Sequence, residues 1–249
     1  LSIKLINRFR SGIKLTPEGE ELYPHIEQLI FQYHMVREKT KEIKGLETGV
    51  IRMGTLASIS VHWLPELLKE FKEQYPGVEF VIHQGDYTSI QEWIKTGMID
   101  FGFVNPAAVS GIETIVLKQG DMLAVLPPQH ALAENETVSL KDLAGEPFIL
   151  LEEGHYYEPL EAFASIKVKP NIKYIIHDDY TIMTMVEAGL GVSILAELIL
   201  HRTNYDIVLR PTEPPIKRTI AIGYKDKASL TIASRRFIEC LRSRVEELP

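Results

Sequence analysis

Three hydroxyls, Thr55, Ser58 and Ser60, sit between an apolar run and an amphipathic one, a placement that suits them to hold an anion. Val50, Ile51, Met53 and Leu56 read as a buried strand, Gly54 lets the backbone bend, and Leu64, Leu67, Leu68 and Phe71 recur at helical spacing. A helix start leaves backbone N–H groups without partners and carries partial positive charge, so a carboxylate can be held there with help from hydroxyls. The competing use of Ser58 or Ser60 is to cap the helix, the commonest task of such residues. Either way, Val50–Phe71 is the stretch that the other elements must position.

Those elements belong to a folded globular chain. Its 249 residues, 45% hydrophobic and 24% charged, suffice for one large or two small cores. No apolar run approaches the roughly 20 residues of a membrane-spanning helix, and no basic-then-apolar leader opens the sequence, so the expected compartment is the cytoplasm. The lone cysteine, Cys240, cannot form an intrachain disulfide and reads as a core thiol beside Phe237, Ile238 and Leu241. A net charge of −7 argues against nonspecific nucleic-acid binding by the whole chain, though not against a local basic patch.

The first fifteen residues read as two short strands joined around Ser11-Gly12 and carrying Lys4, Arg8, Arg10 and Lys14. Such a hairpin can touch phosphates or simply be a solvated face. The chain opens without methionine and already inside an element, so the expectation is that the start of a larger protein precedes it. Thr16-Pro17-Glu18 is a helix start, with Thr16 as cap and Pro17 at the first helical position. Leu22, Ile26, Leu29, Tyr33, Val36, Thr40 and Ile43 then recur in steps of four and three, the seam of a helix that pairs in coiled-coil fashion, with its own domain or with a second copy. Lys39, Lys41 and Lys44 suit the negative end of that helix, and Gly45 and Gly49 end it.

From Val50 onward strands and helices alternate, which predicts parallel sheets in two α/β halves with ligands between them. Strands are expected at Val78–His83, Ile99–Val104, Met122–Leu126, Pro147–Leu151, Ile172–Ile176, Gly191–Leu195, Ile207–Leu209 and Thr219–Tyr224. Helices are expected at Ser89–Thr96, Leu140–Leu143, Leu160–Ala164, Tyr180–Ala188, Ala196–His201 and Ile232–Val245.

This order of motifs resembles the LysR-type transcriptional regulators of bacteria over nearly the whole chain. Asn7-Arg8-Phe9-Arg10-Ser11-Gly12-Ile13-Lys14-Leu15-Thr16-Pro17-Glu18-Gly19 looks like the end of that family's winged helix-turn-helix and the start of its linker helix. Gly54 to Pro65, Phe71, Tyr75-Pro76, Gly85 and Gly97-Met98-Ile99-Asp100-Phe101-Gly102-Phe103 look like its first regulatory subdomain. Gly189-Leu190-Gly191-Val192-Ser193-Ile194-Leu195 matches the glycine-rich turn of the second, with Ala196 where a proline is usual.

The resemblance implies two Rossmann-like subdomains of the type II periplasmic binding protein kind behind a long linker helix. Its domains would be a wing remnant at 1–15, a linker and dimerisation helix at 16–49, subdomain I at 50–118 plus 226–249, and subdomain II at 119–225. The lobes would be joined by crossing segments near Lys118–Met122 and Tyr224–Asp226. A small polar effector would lie against Ser58, Ile59, Ser60, Gln84, Asp86 and Asn105 from the first lobe and His155 or Tyr156, Asp179 and Ser193 from the second. In similar regulators the position of Ser58 often contacts an effector carboxylate. Asp86 would repel one, so it signals an amine or hydroxyl on the effector or is a turn residue beside Gly85. Arg8 and Arg10 would meet the DNA backbone in the full-length protein. Dimers would pair through Leu22, Ile26, Leu29, Tyr33 and Val36 and build toward tetramers.

Other chemistries fit less well. His177-Asp178-Asp179 holds metal-ligand types, but successive strand residues face opposite ways, and Asp178 or Asp179 is better read as a helix cap. Gly189-Leu190-Gly191 follows a helix and precedes a strand, the reverse of a dinucleotide motif. No zinc-protease motif, phosphate loop or nucleophile elbow occurs, so neither catalysis nor a metal nor a cofactor is expected. The alternative function is a solute-binding protein of transport, which shares the two-lobed architecture but has no need of a long pairing helix.

Overall fold

The computed structural model describes residues 3–9, 12–43 and 48–249; Arg10, Ser11, Lys44 and Gly45 lie outside the described residues, as do the side chains of Lys39, Lys41 and Ile43. Strands β1 (Ile6–Phe9) and β2 (Gly12–Leu15) pair antiparallel, with Arg8 opposite Ile13. Helix α1 (Pro17–Ile43) follows. Thr16 caps it, accepting from the Gly19 N–H at 3.0 Å while its hydroxyl donates to the Lys4 carbonyl at 2.8 Å. That one side chain therefore fastens the helix to the hairpin. Pro24 lies inside α1, where it removes one backbone donor. Along the seam Leu22 is half-buried, whereas Ile26, Leu29, Tyr33 and Val36 stand exposed.

Lobe I comprises β3 (Gly49–Thr55), α2 (Ala57–His62), α3 (Leu64–Gln74), β4 (Val78–Gln84), α4 (Tyr87–Thr96) and β5 (Phe101–Val104). Strand β3 runs parallel to both β4 and β5. Helix α4 can lie close on this sheet because two glycines face it. A Cβ on Gly102 would stand 2.4 Å from Ile90 Cγ2, and one on Gly54 would stand 2.7 Å from Ile99 Cδ1. Asp100 ties the lobe together, accepting from the Arg52 N–H at 2.9 Å and from the Ser234 hydroxyl at 2.8 Å.

The chain enters lobe II along β6 (Glu113–Leu126) and continues through β7 (Val138–Ser139), α5 (Leu140–Gly145), β8 (Pro147–Leu151), α6 (Glu158–Ser165), β9 (Asn171–Ile176), α7 (Asp179–Glu187), β10 (Ser193–Ala196) and α8 (Glu197–Leu200). It returns along β11 (Val208–Tyr224) and ends in α9 (Ile232–Arg244) on lobe I. The two-residue side-chain period sorts this lobe into two cores. Phe148, Ala124 and Ile194 pack on one face with Leu140 and Phe163, and their neighbours Ile149, Val125 and Leu195 pack on the other with Ile182 and Val186.

The two lobes share β6 and β11, which pair antiparallel along nearly their whole length. In β6, Ile115 and Leu117 pack against the lobe I core and Met122 belongs to lobe II, so the passage lies between them. In β11, Ile216 belongs to lobe II and Ile220 onward to lobe I. The return passage therefore lies near Lys217–Thr219 rather than Tyr224–Asp226, and residues 220–224 belong to lobe I. The two strands expected at Ile207–Leu209 and Thr219–Tyr224 are one strand, β11, whose pairing absorbs the prolines at 211, 214 and 215 in a register shift between Pro211 and Ile216.

Candidate functional site

A cleft of about 200 Å³ opens between the lobes, lined by Leu56, Ala57, Ser58, Gln84, Gly85 and Asp86 from lobe I, Leu151, Glu152, Glu153, His177 and Asp179 from lobe II, and Arg218 from the return strand. A larger concavity of about 600 Å³ lies beside His62, His201 and Tyr205. The smaller cleft is the candidate site, because it adjoins the crossing strands and gathers the buried charge.

On the lobe I wall, Ser58 is 3% exposed and its hydroxyl has no hydrogen-bond partner. The expected open turn is the short helix α2, whose N-cap is Leu56 without a side-chain cap bond, so Ser58 is not a cap. Ser60 is turned to Thr55, donating to its hydroxyl at 3.3 Å. Ile59 is wholly buried in the lobe I core and does not line the cleft. Gln84 reaches the cleft from the end of β4. Asp86 also lines it, but caps α4: one carboxylate oxygen accepts from the Ser89 N–H at 2.8 Å and the other from the Ser89 hydroxyl at 3.0 Å. Read from sequence as an effector contact or a turn residue beside Gly85, it is a helix cap that commits both oxygens.

On the lobe II wall, Asp178 caps α7 through the Thr181 N–H at 2.7 Å, which leaves the adjacent Asp179 to face the cleft. Burial raises the Asp179 pKa, against the pull of Arg218. Ser193 lies behind the wall, donating to the Ile149 carbonyl at 2.7 Å. His155 is exposed and meets lobe I through its backbone N–H, which donates to Thr88 Oγ1 at 3.0 Å. Gly154 permits that approach: its φ is +87°, and a Cβ there would stand 2.2 Å from Thr88 Oγ1. Among the described residues no group of three or more His, Cys, Asp or Glu could hold a metal ion.

Behind the cleft lies a buried network that the sequence did not disclose. Arg218 stands opposite Gly120 in the crossing strands. Its Nε donates to the Tyr87 hydroxyl at 2.7 Å and its Nη2 to Glu153 Oε1 at 2.7 Å. Tyr87 in turn donates to Glu158 Oε1 at 2.7 Å, and Asn105 Nδ2 donates to the same oxygen at 2.8 Å. Asn105 is therefore a tie between lobes, and it does not line the cleft. Glu158 Oε2 is buried without a partner. Burial pushes Glu153 up to about 8, with Arg218 opposing and Glu158 and Asp179 reinforcing the shift. One guanidinium thus serves two buried carboxyl groups, Glu153 at 2.7 Å and Glu158 at 3.8 Å.

Two α/β lobes of mixed sheet, parallel at β3–β4, β3–β5 and β8–β9 and antiparallel along the crossing strands, with a polar cleft at their junction, define a ligand-binding module of the type II periplasmic binding protein kind. A family model of the LysR substrate binding domain matches residues 44–246. The HTH-type transcriptional regulator YvbU of Bacillus subtilis (strain 168) is 31% identical over 96% of this chain and 82% of its own length. The dual regulator GltC of the same organism is 29% identical over the same shares. Among solved structures, the LysR family regulator HinK of Pseudomonas aeruginosa is 26% identical, with a TM-score of 0.70 over 93% of this chain and 81% of that one. The effector binding domain of QuiR, in complex with shikimate, shares the fold at 23% identity, with a TM-score of 0.72 over 80% of this chain and 98% of its own.

The chain belongs to the LysR family of ligand-responsive transcriptional regulators, and the transport reading is set aside. Its relatives are transcriptional regulators. Among the described residues no helix is long and apolar enough to cross a membrane.

Proposed function

We propose that a small polar metabolite binds between the lobes, with Ser58 and Asp179 on opposite walls, and that binding sets the angle between them. The observation that carries this reading is the buried, unpartnered Ser58 hydroxyl, held in a cleft that two shared strands span. A ligand that binds one lobe orientation more tightly than the other shifts the balance by that difference in affinity. Helix α1 would carry the shift toward DNA-binding domains, and the exposed hairpin with Arg8 would rest on phosphates, which position a protein without specifying sequence. The exposed Ile26, Leu29, Tyr33 and Val36 would be covered by α1 of a second copy, giving dimers able to build tetramers.

Two experiments test this reading. A metabolite library scored by thermal shift should yield ligands that stabilise the wild type and lose their effect in Ser58→Phe, which fills the cleft from its lobe I wall. A ligand that stabilises both equally binds elsewhere. Light scattering at micromolar concentration should find a dimer that Leu29→Glu dissociates; a strictly monomeric wild type removes the pairing claim.

A further inference from the structure

The walls of the cleft also indicate what class of ligand it takes. Lining residues supply the carboxylates of Asp86, Glu152, Glu153 and Asp179 against one guanidinium, that of Arg218. The guanidinium is already engaged, by Glu153 at 2.7 Å and by Glu158 at 3.8 Å. Asp86 is engaged at the start of α4, and Glu152 Oε1 accepts from the Tyr157 hydroxyl at 3.0 Å. Asp179, 8% exposed, feels the charge of Arg218 and lines the cleft on the wall opposite Ser58, whose hydroxyl has no hydrogen-bond partner. An incoming carboxylate would have to take Arg218 from Glu153 and then stand against Asp179.

We propose that the effector presents a positively charged nitrogen, an ammonium or a guanidinium, to Asp179 and Glu153, and a hydrogen-bonding edge to the Ser58 hydroxyl. This rests on the reading of the cleft as the effector site. The space equals about six or seven water molecules at roughly 30 Å³ each, which suits a small amine rather than a nucleotide. Asp86, half-buried on the lobe I wall, adds negative potential that draws a cation toward the cleft. The inference runs against the anion-holding role that the hydroxyls alone suggested.

Proton release gives the proposal a distinctive readout. Glu153 is faced by Arg218 from β11, Glu158 from α6, Tyr87 from α4 and Asp179 from α7, with His177 on the same wall. Burial raises both Glu153 and Asp179, so a cation arriving between them favours their ionised forms and expels protons. Affinity for a cation therefore rises with pH up to about 8.

The test is calorimetry on the whole chain with ethanolamine, putrescine and agmatine, against glycolate and succinate of matched length, each at millimolar concentration in two buffers of different ionisation enthalpy. The expected result is binding of at least one amine with proton release, no binding of the acids, and an affinity about tenfold lower in Asp179→Asn, equivalent to about 1.4 kcal/mol. Glu153→Gln, which keeps the shape of the side chain, should abolish most of the proton release. If an acid binds instead, and Ser58→Phe abolishes it, the ligand class falls while the effector cleft stands. If an amine binds equally well to wild type, Asp179→Asn and Ser58→Phe, both the class and the cleft fall. If no amine binds, the class falls.

Discussion

The two walls of the cleft use their polar groups in opposite ways. On the lobe I wall Asp86 is committed to a helix end and Ser60 to Thr55, so that only Ser58 among the hydroxyls expected there faces the cleft without a partner. On the lobe II wall Asp178 takes the capping task, leaving Asp179 free to face the cleft, and Glu153 shares one arginine with Glu158. The first wall is a nearly satisfied surface that offers one hydroxyl. The second gathers more carboxyl groups than its one arginine serves, and burial answers by raising Glu153 and Asp179 so that they hold protons until a cation pairs them.

Mutations that break this contrast should differ in size. The largest loss is expected from Arg218→Met, which leaves the buried carboxylates of Glu153 and Glu158 without their cation and should cost about 3 kcal/mol in denaturant unfolding at neutral pH. A loss under about 0.5 kcal/mol would mean that the network carries little of the lobe junction. Next comes Tyr87→Phe, which removes the hydroxyl linking Arg218 to Glu158 and should cost roughly 1–2 kcal/mol by the same measurement. Asp86→Ala removes a cap and should cost about 1 kcal/mol by the same measurement. Ser58→Ala should change stability by less than about 0.5 kcal/mol, since no protein hydrogen bond is lost, yet weaken effector binding by roughly 1 kcal/mol. Unchanged affinity would move the site away from Ser58.

The same contrast explains what could be read from the sequence. Elements of lobe I and the start of α1 are legible because periodicity and caps are local: the expected strand at Val78–His83, the helix at Ser89–Thr96 and the capping pattern around Thr16 all announce themselves within a few residues. The cap at Asp86 escapes because the helix begins at Tyr87, two residues before the expected start. The network across the lobe junction is not, because its members come from positions 87, 105, 153, 158 and 218, and of these only Asn105 stands out in the sequence, as an expected effector contact. Arg218 follows Lys217 after a proline-rich run, which reads as a solvated loop until β6 is laid beside it. Its burial follows from pairing across about a hundred residues, which no local pattern encodes.

The sharpest test of the excess of carboxyl groups on the second wall needs no ligand. Glu153 has an ordinary value of 4.5 and is pushed up to about 8 by burial, so between those values the folded state binds a proton that the unfolded state has lost. Its contribution is therefore complete below about pH 4.5 and declines as pH rises through about 8. Urea unfolding of wild type and Glu153→Gln across that window should show the variant gaining on the wild type as pH rises, by roughly 1–3 kcal/mol in all. A difference that stays constant, or one in which the wild type gains, would mean that Arg218 suffices to hold Glu153 ionised throughout and that the carboxyl groups of this wall are balanced from within.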